Sequence, residues 1–531
     1  MQPDTPTPRD DDVRPGRGRG AAAGVLAAVG ALAVGELVAG VVAATASPVV
    51  SVGEWVIDHV PPWVKELAIR TFGTNDKPAL MVGTVVILLV FAAVVGALAT
   101  RRLAIGVGGV ALFGLIGATT AMTRPNASAF APLPSVLGAV AAVAVLTFLL
   151  RGGWRAPAKD AVAPSRPGHP ARPAPAGFER RRFLASSAAV GAVALGTGGV
   201  GKVLQRRFDV NAERSVIALP AASSPAGTVP AGVDLRIPGI TPFTTANDDF
   251  YRVDTALNTP QVSADTWQLR IHGMVDRELT FSYQDLLDRE LVERDITLVC
   301  VSNEVGGQYA GHARWLGVPL ADLLREAGVQ PGADQLVSRS VDGWTAGSPT
   351  ATILDGRDAL VAIGMNGEPL PVNHGFPARL VVPGLYGYVS ATKWVTELEL
   401  TTFDAYDAYW VQRTWAQQAP IKTLTRIDTP QGLSNQPAGK VAIGGVAWAI
   451  HRGIRGVEVK VDDGPWQPAR LGDVPNDDTW RQWVLEWDAT PGSHTIVARA
   501  TDGTGTVQTE DRAEPIPDGA SGWHSIVVLV Q

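Results

Sequence analysis

Five nearly uncharged apolar runs crowd the first 205 residues: Ala21–Ala44, Ala79–Thr100, Leu103–Met122, Ala131–Leu150 and Phe183–Val203. A helix of about 20 apolar residues spans a hydrocarbon core roughly 30 Å thick, and each run reaches that length. This part of the chain is therefore expected to form an all-α membrane bundle. Residues 1–150 would hold four spans and residues 183–204 the fifth, with a Pro/Ala/Arg-rich cytoplasmic linker over residues 151–182.

Cytoplasmic loops hold the excess of Arg and Lys. Arg14, Arg17 and Arg19 precede the first run, and Arg101 and Arg102 separate the second from the third. Arg151, Arg155, Lys159, Arg166, Arg172 and Arg180–Arg182 lie between the fourth and fifth. The predicted topology puts the N-terminus in the cytoplasm, five spans in the cell membrane and Leu204 onward outside. The fifth run opens Arg180-Arg181-Arg182-Phe183-Leu184, the R-R-x-F-L form of a twin-arginine export signal. Ordinary positive-inside anchoring explains the same arginines. The export reading predicts that the domain behind it crosses the membrane already folded.

The runs themselves offer little chemistry. None contains a histidine, which argues against a bis-His haem in this bundle. Glu36 is the one carboxylate inside a run, a candidate functional group or a helix-packing residue. Val49–Phe72 reads as an amphipathic segment lying along the outer surface, and Gly106-Val107-Gly108-Gly109 as close helix packing.

The remainder has the Trp, Asp, Arg and Thr content of a soluble protein and is long enough for two domains. Residues 231–415 alternate strand-like runs (Trp267–Ile271, Ile296–Val301, Ala378–Val382) with short helical patterns (Tyr283–Arg289, Leu320–Ala327), an α+β pattern. Residues 416–531 carry short β-branched or aromatic runs between turn pairs such as Asp463-Gly464 and Asp502-Gly503, which predicts an immunoglobulin-like β-sandwich. The net charge of −6 gives no pull toward nucleic acid.

Cys300 is the single cysteine of 531 residues. That excludes an intrachain disulfide, an iron–sulfur cluster and a Cys-rich zinc site. A lone thiol is a buried small hydrophobe, a nucleophile, or the one protein ligand of a soft metal. From chemistry alone the candidate site collects Cys300, His374, Arg379 and Lys393 with the stretch Asn247-Asp248-Asp249-Phe250-Tyr251-Arg252. The cations suit a phosphate-bearing ligand. Each has a structural alternative: His374 as a loop hydrogen-bonder, Arg379 as an edge-strand arginine, and Phe250, Tyr251 and Cys300 as core.

Gly364-Met365-Asn366-Gly367-Glu368-Pro369-Leu370-Pro371, followed by His374-Gly375-Phe376-Pro377-Ala378-Arg379-Leu380-Val381-Val382-Pro383-Gly384 and Lys393-Trp394, resembles the molybdenum-cofactor core of the sulfite oxidase family. Cys300-Val301-Ser302-Asn303 resembles that family's C-x-x-N. The all-β part resembles its dimerisation domain, with Trp480-Arg481-Gln482-Trp483 near W-R-x-W and Gly522-Trp523-His524 near the closing A-W-H. The likeness runs from about Gly239 to Val530 and leaves the apolar half outside it. It implies a molybdenum–molybdopterin cofactor with Cys300 as the metal's protein ligand. It implies that His374, Arg379, Lys393 and the backbone around Ser390 hold the pterin and its phosphate. Asn247, Phe250, Tyr251 and Arg252 would line the cofactor, and Asn303 would orient the Cys300 loop. It also leaves a homodimer open.

Three departures bear on substrate. Val305 stands where sulfite oxidases carry an arginine five residues after the cysteine. The family's active-site tyrosine falls at Trp415, and Arg252 precedes Val253 where the family has the reverse order. A pocket short of one cation suits a less charged S-oxide, N-oxide or other small oxyanion better than sulfite dianion. Arg481 is a candidate replacement cation, or a structural edge arginine. With no C-x-x-C-H motif or cluster ligands, electrons must pass to or from a separate partner. The expectation is a membrane-anchored molybdenum oxidoreductase acting on a small molecule. The alternatives are a thiol enzyme using Cys300 with His312 or His374 as base, and a cofactor-free binding module.

Overall fold

The computed structural model describes residues 16–42, 46–61, 64, 71, 76–124, 127–151 and 176–531. Arg14 and residues 152–175 of the Pro/Ala/Arg linker lie outside the described residues. Contacts divide the chain into two compact units, Met1–Asp209 with Ala256–Asn258, and Val210–Thr255 with Thr259–Gln531.

The first unit is helical. Among the described residues five helices are long and apolar enough to cross a membrane: Arg17–Val42, Lys77–Ala99, Leu103–Met122, Leu133–Leu150 and Arg181–Val216. Its packing inverts that of a soluble protein. The buried positions of the first helix are Ala and Gly, including Ala23, Gly24, Ala27 and Ala39, while Ile87, Val90, Val193 and Leu195 are exposed. Small residues let backbones approach where lipid already solvates the large side chains. A Cβ on Gly24 would stand 2.0 Å from the Ala92 carbonyl oxygen. Glu36 accepts from the Ser47 hydroxyl at 2.5 Å and from Gln205 Nε2 at 2.7 Å, and pairs with Lys202 at 3.1 Å. It therefore ties the first helix to the helix Ala176–Gln205, which is the packing alternative. The amphipathic segment begins as the helix Pro48–His59; part of the remainder to Phe72 lies outside the described residues.

The second unit begins with two five-stranded sheets. One runs in the order Leu279–Ser282, Gln268–Gly273, Val395–Thr401, Gln335–Ser340, Thr345–Pro349, with Gln268–Gly273 parallel to Val395–Thr401 and the other pairs antiparallel. The other contains Val292–Val299, Ala310–Pro319, Leu360–Met365 and Glu368–Pro369, with Arg379–Val381 also on Leu360–Met365. Sequence alternation does not reveal Leu360–Met365 or Ala310–Pro319 because the first is buried at every position and the second at all but two. A strand covered on both faces reads as a continuous apolar run. The predicted strand Ile296–Val301 ends instead at Val299. Cys300 thus opens the hairpin loop to Tyr309, with its N–H donating to the Tyr309 carbonyl at 2.9 Å.

The C-terminal part is β-rich and also has two sheets. One contains Leu424–Thr429, Gly439–Trp448, Arg481–Ala489 and Arg470–Leu471. The other contains Asn435–Gln436, His524–Val530, Gly492–Asp502, Ile454–Val461 and Gln467–Pro468. Ile443 and Trp483 of the first pack with Val457, Val459, Ile496 and Val528 of the second. In Gly492–Asp502 the alternation places Ile496, Ala498 and Ala500 inward and leaves Arg499 outside. The W-R-x-W segment fastens this part to the stretch that precedes the first strand. Trp480 Nε1 donates to the Phe243 carbonyl at 2.9 Å, and Gln482 Nε2 to the Thr241 carbonyl at 2.8 Å.

Candidate active site

Cys300 lines a cleft with about 920 Å³ of space between its walls, part of it open solvent. Phe250, Tyr251, Asp254, Ser302, Asp342, Trp344, Tyr388, Trp410 and Trp415 line it too, together with His374, Arg379 and Lys393. The cations converge because of one turn. Gly375 ends the 3₁₀ turn Val372–His374 with φ +114°, and a Cβ there would lie 3.1 Å from both the Arg379 and Lys393 Cβ atoms. Only glycine takes that conformation without strain in so tight a space. Trp394, beside Lys393, also has positive φ (+49°), an unfavourable conformation held by its Nε1 bond to the Val372 carbonyl at 2.9 Å.

The charges differ in how they are matched. Lys393 Nζ lies 2.6 Å from Asp254, which also takes the Arg252 Nε bond at 2.9 Å. Burial lowers Lys393 to about 8 against the raising pull of Asp254. Arg379 is 5% exposed and, among the described residues, has only carbonyl acceptors: His374 at 3.2 Å, and Leu380 and Ala391 at 3.4 Å. Burial lowers it to about 10, and no carboxylate raises it. A buried guanidinium with long, peptide-only bonds is a site built for an anion. Burial, then Arg379 and Lys393, lower His374 to about 3, so its ring is neutral. Its Nε2 faces the Asn247 carbonyl at 3.1 Å, which places the proton there and leaves Nδ1 as the acceptor. Burial also raises Cys300, Tyr251 and Asp342. The Cys300 thiol is therefore protonated at neutral pH.

The predicted residues divide into those that face the cleft and those that do not. Cys300, Phe250, Tyr251, His374, Arg379, Lys393 and Trp415 line it. The Asn247 side chain turns to Glu368 at 2.7 Å and Asn366 at 2.8 Å, and contributes only its carbonyl. Arg252 stands behind Asp254. The Ser390 hydroxyl is spent on the Leu385 and Tyr386 carbonyls, while its neighbour Ala391 lines the cleft. Asn303 accepts the Tyr309 N–H at 2.7 Å and so braces the loop from within. The contacts of Arg481 favour the structural alternative. Its guanidinium donates Nε to the Gly472 carbonyl at 2.6 Å and Nη1 to the Ile454 carbonyl at 2.9 Å within the β-rich part, and it is not among the residues that line the cleft. Asp254, Asp342, Trp344, Tyr388 and Trp410 were missed. Asp254 lies two residues past Arg252, and only the fold brings it to Lys393.

The family model described as "Oxidoreductase molybdopterin binding domain" matches residues 256–410. Human mitochondrial sulfite oxidase is 29% identical over 331 residues, which cover 52% of this chain and 59% of that protein. The oxidoreductase YuiH of Bacillus subtilis is 32% identical over 148 residues, 27% of this chain and 69% of that one. The chain belongs to the sulfite oxidase family of molybdopterin-dependent oxidoreductases. The sulfane dehydrogenase SoxCD of Paracoccus pantotrophus has a TM-score of 0.48 and 24% identity over 55% of this chain and 84% of that one. The chain spans 59% of the human sulfite oxidase it matches.

Residues 256–410 match a molybdopterin-binding oxidoreductase domain, which implies a molybdenum–molybdopterin cofactor. The cleft fits that group: a thiol at one wall, an anion-seeking arginine at another, and flat aromatic sides between them. Arg379 and Lys393 would hold its phosphate and Cys300 its metal, with Asp342 and the His374 Nδ1 as acceptors for the pterin's N–H groups.

Two buried neutral imidazoles make stability depend on pH. Burial first, then nearby cations, lower His374 to about 3 and His524 to about 4, from an ordinary 6.5. The unfolded chain binds protons the folded one refuses, so stability is complete above pH 6.5 and lost as pH falls. Both groups contribute from 6.5 to 4, His374 continues to about 3, and burial lowers His312 as well. Thermal melts of the cofactor-free protein across this range should show the loss, and His524→Gln should flatten the upper part. A melting temperature constant from 6.5 to 4 contradicts it.

Proposed function

We propose that this protein is a membrane-anchored oxygen-atom-transfer enzyme that acts outside the cytoplasmic membrane on a small, weakly charged S-oxide or N-oxide and exchanges electrons with a separate partner. The observation that carries the substrate class is the wall of the cleft. Trp415 lies 5.6 Å from Tyr388 and 6.1 Å from Trp410, ring to ring, where the family resemblance places a tyrosine. Val305 replaces the expected arginine and packs against the core, and Arg481 is committed elsewhere. The two cleft cations are accounted for by Asp254 and by the cofactor's phosphate. Such a wall favours apolar substituents around one polar oxygen.

When bound, the cofactor supplies two-electron redox chemistry at a metal with an exchangeable oxygen position. The chain's own groups do the rest. Cys300 would hold the metal, and Arg379 and Lys393 would neutralise the cofactor's phosphate. Tyr388, Trp410 and Trp415 exclude water and orient the substrate. The Tyr388 hydroxyl is tied to the Ala416 carbonyl at 2.7 Å, which holds its ring in the wall. In the reductive direction, substrate oxide, two protons and two electrons give the reduced substrate and water.

Purified enzyme with a reduced dye should turn over a neutral sulfoxide or amine N-oxide, and Trp415→Ala should raise KM by about tenfold or more. Turnover of sulfite with an oxidised dye, faster than any oxide, would reject this substrate class.

Membrane anchoring rests on the inside-out helices, and export on the arginine pattern before Phe183. An immunoglobulin-like class for the two C-terminal sheets and a homodimer through them belong to the same reading. In intact spheroplasts an added protease should reach the catalytic domain of wild type but not of an Arg180→Lys/Arg181→Lys variant. Equal digestion of both removes the twin-arginine assignment. The thiol-enzyme alternative gains no support from the geometry. His312 is fully buried against Phe243 and bonded to Thr297, and His374 commits Nε2 to Asn247.

A further inference from the structure

The hairpin loop that begins at Cys300 is gripped at its far end by both C-terminal sheets. Arg426, on the strand Leu424–Thr429, is almost fully buried. It donates Nη1 to the Gly307 carbonyl at 2.9 Å, Nη2 to the Thr241 hydroxyl at 2.8 Å and Nε to Asp428 Oδ1 at 2.5 Å. The other Asp428 oxygen accepts the Thr241 N–H at 3.0 Å. A fork held at three points has one orientation, so its contact with Gly307 is fixed. From the second sheet, His524 accepts the Ile427 N–H at Nδ1, 2.9 Å away. The opposite edge of its ring lies on Gly306, where a Cβ would stand 2.3 Å from Nε2. Gly306 has φ +83°, so glycine is required twice over.

The grip reaches Cys300 through a few bonds. Gly307 N–H donates to the Glu304 carbonyl at 2.9 Å, Asn303 N–H to the Cys300 carbonyl at 3.1 Å, and Cys300 N–H to the Tyr309 carbonyl at 2.9 Å. A Cβ on Gly307 would also stand 2.7 Å from Asn303 Oδ1, the atom that accepts from Tyr309. Loops held only at their strand ends are free to shift at the tip; this one is closed at both.

We propose that Arg426 and His524 are positioning residues, through which the C-terminal β-rich part holds the Cys300 loop in the shape that metal ligation needs. The proposal rests on the molybdenum role of Cys300, yet the state of the loop can be read without metal. The chain has one cysteine, so a thiol reagent labels one place. Full-length protein in detergent, made in a host unable to synthesise molybdopterin, is labelled under native conditions. Arg426→Met should label about tenfold faster or more than wild type, and Arg426→Lys should fall between. Arg499→Met is the control. Arg499 bonds Glu458 and lies 4.2 Å over Trp466 on the outer face of the same part, so its loss should leave the rate unchanged.

In cofactor-loaded protein, Arg426→Lys and His524→Gln should each change the electron paramagnetic resonance signal of the metal at equal metal content. Labelling of both Arg426 variants at the wild-type rate, with an unaltered signal, overturns the proposal. If Arg426→Met does not fold, the Lys variant decides. Wild type that holds no molybdenum would reject the metal role of Cys300, while the labelling rates would still decide whether the loop is clamped.

Discussion

Cys300→Ser should leave the protein folded and able to retain pterin but nearly free of molybdenum, with activity lower by on the order of 10³-fold or more. Wild type from a host that makes the cofactor should hold about one molybdenum per chain. A serine hydroxyl is hard and far less acidic than a thiol, so it gives up its proton to a soft metal less readily. Folding should survive because Cys300 opens a loop and faces a cleft, where the exchange of sulfur for oxygen creates no sealed cavity. Metal analysis and pterin fluorescence on the same samples separate the two losses. Full metal content in the serine variant, or full activity without metal, would remove Cys300 from its assigned place.

Arg379→Met should act in opposite directions on the empty and the loaded protein. In cofactor-free protein it removes a buried charge whose acceptors are three distant carbonyls, so stability should rise, by about 1–4 kcal/mol. The methionine stem can keep the packing against Trp315, over which the guanidinium lies at 5.1 Å. In loaded protein it deletes the cation facing the phosphate, and cofactor binding should weaken by about 2–5 kcal/mol, or roughly 30-fold to several thousand-fold. Melting curves of both forms, together with cofactor release rates, test the pair of signs. A variant less stable when empty, yet normal in cofactor retention, would make Arg379 a structural arginine.

Legibility in the sequence followed the range of the interactions concerned. The helix Leu320–Ala327 was read with its observed ends because its pattern is local. Ala310–Pro319 and Leu360–Met365 were not, since burial on both faces erases alternation. The motif around His374 to Lys393 was legible as a resemblance, and those side chains do face one cleft. Arg481 was not. Of its neighbours, Gly472 follows the strand Arg470–Leu471 and Ile454 opens another, and a guanidinium shows its destination only after those strands pair. Asp254 was missed for the same reason, its partner Lys393 lying far along the chain.

Some properties needed no tertiary structure. The length and apolarity of five runs, the arginines between them and the uniqueness of one thiol are facts about neighbours along the chain. They bound the helical bundle and the metal chemistry open to the protein. What the fold decided is which charges have partners. Lys393 meets Asp254, Arg379 meets only peptide oxygens, and Arg426 reaches Gly307 from another sheet. Those distances depend on strand pairing between segments remote in sequence. The energy of a buried charge depends on what stands within a few ångströms of it, so composition could supply the groups but only packing could assign them work.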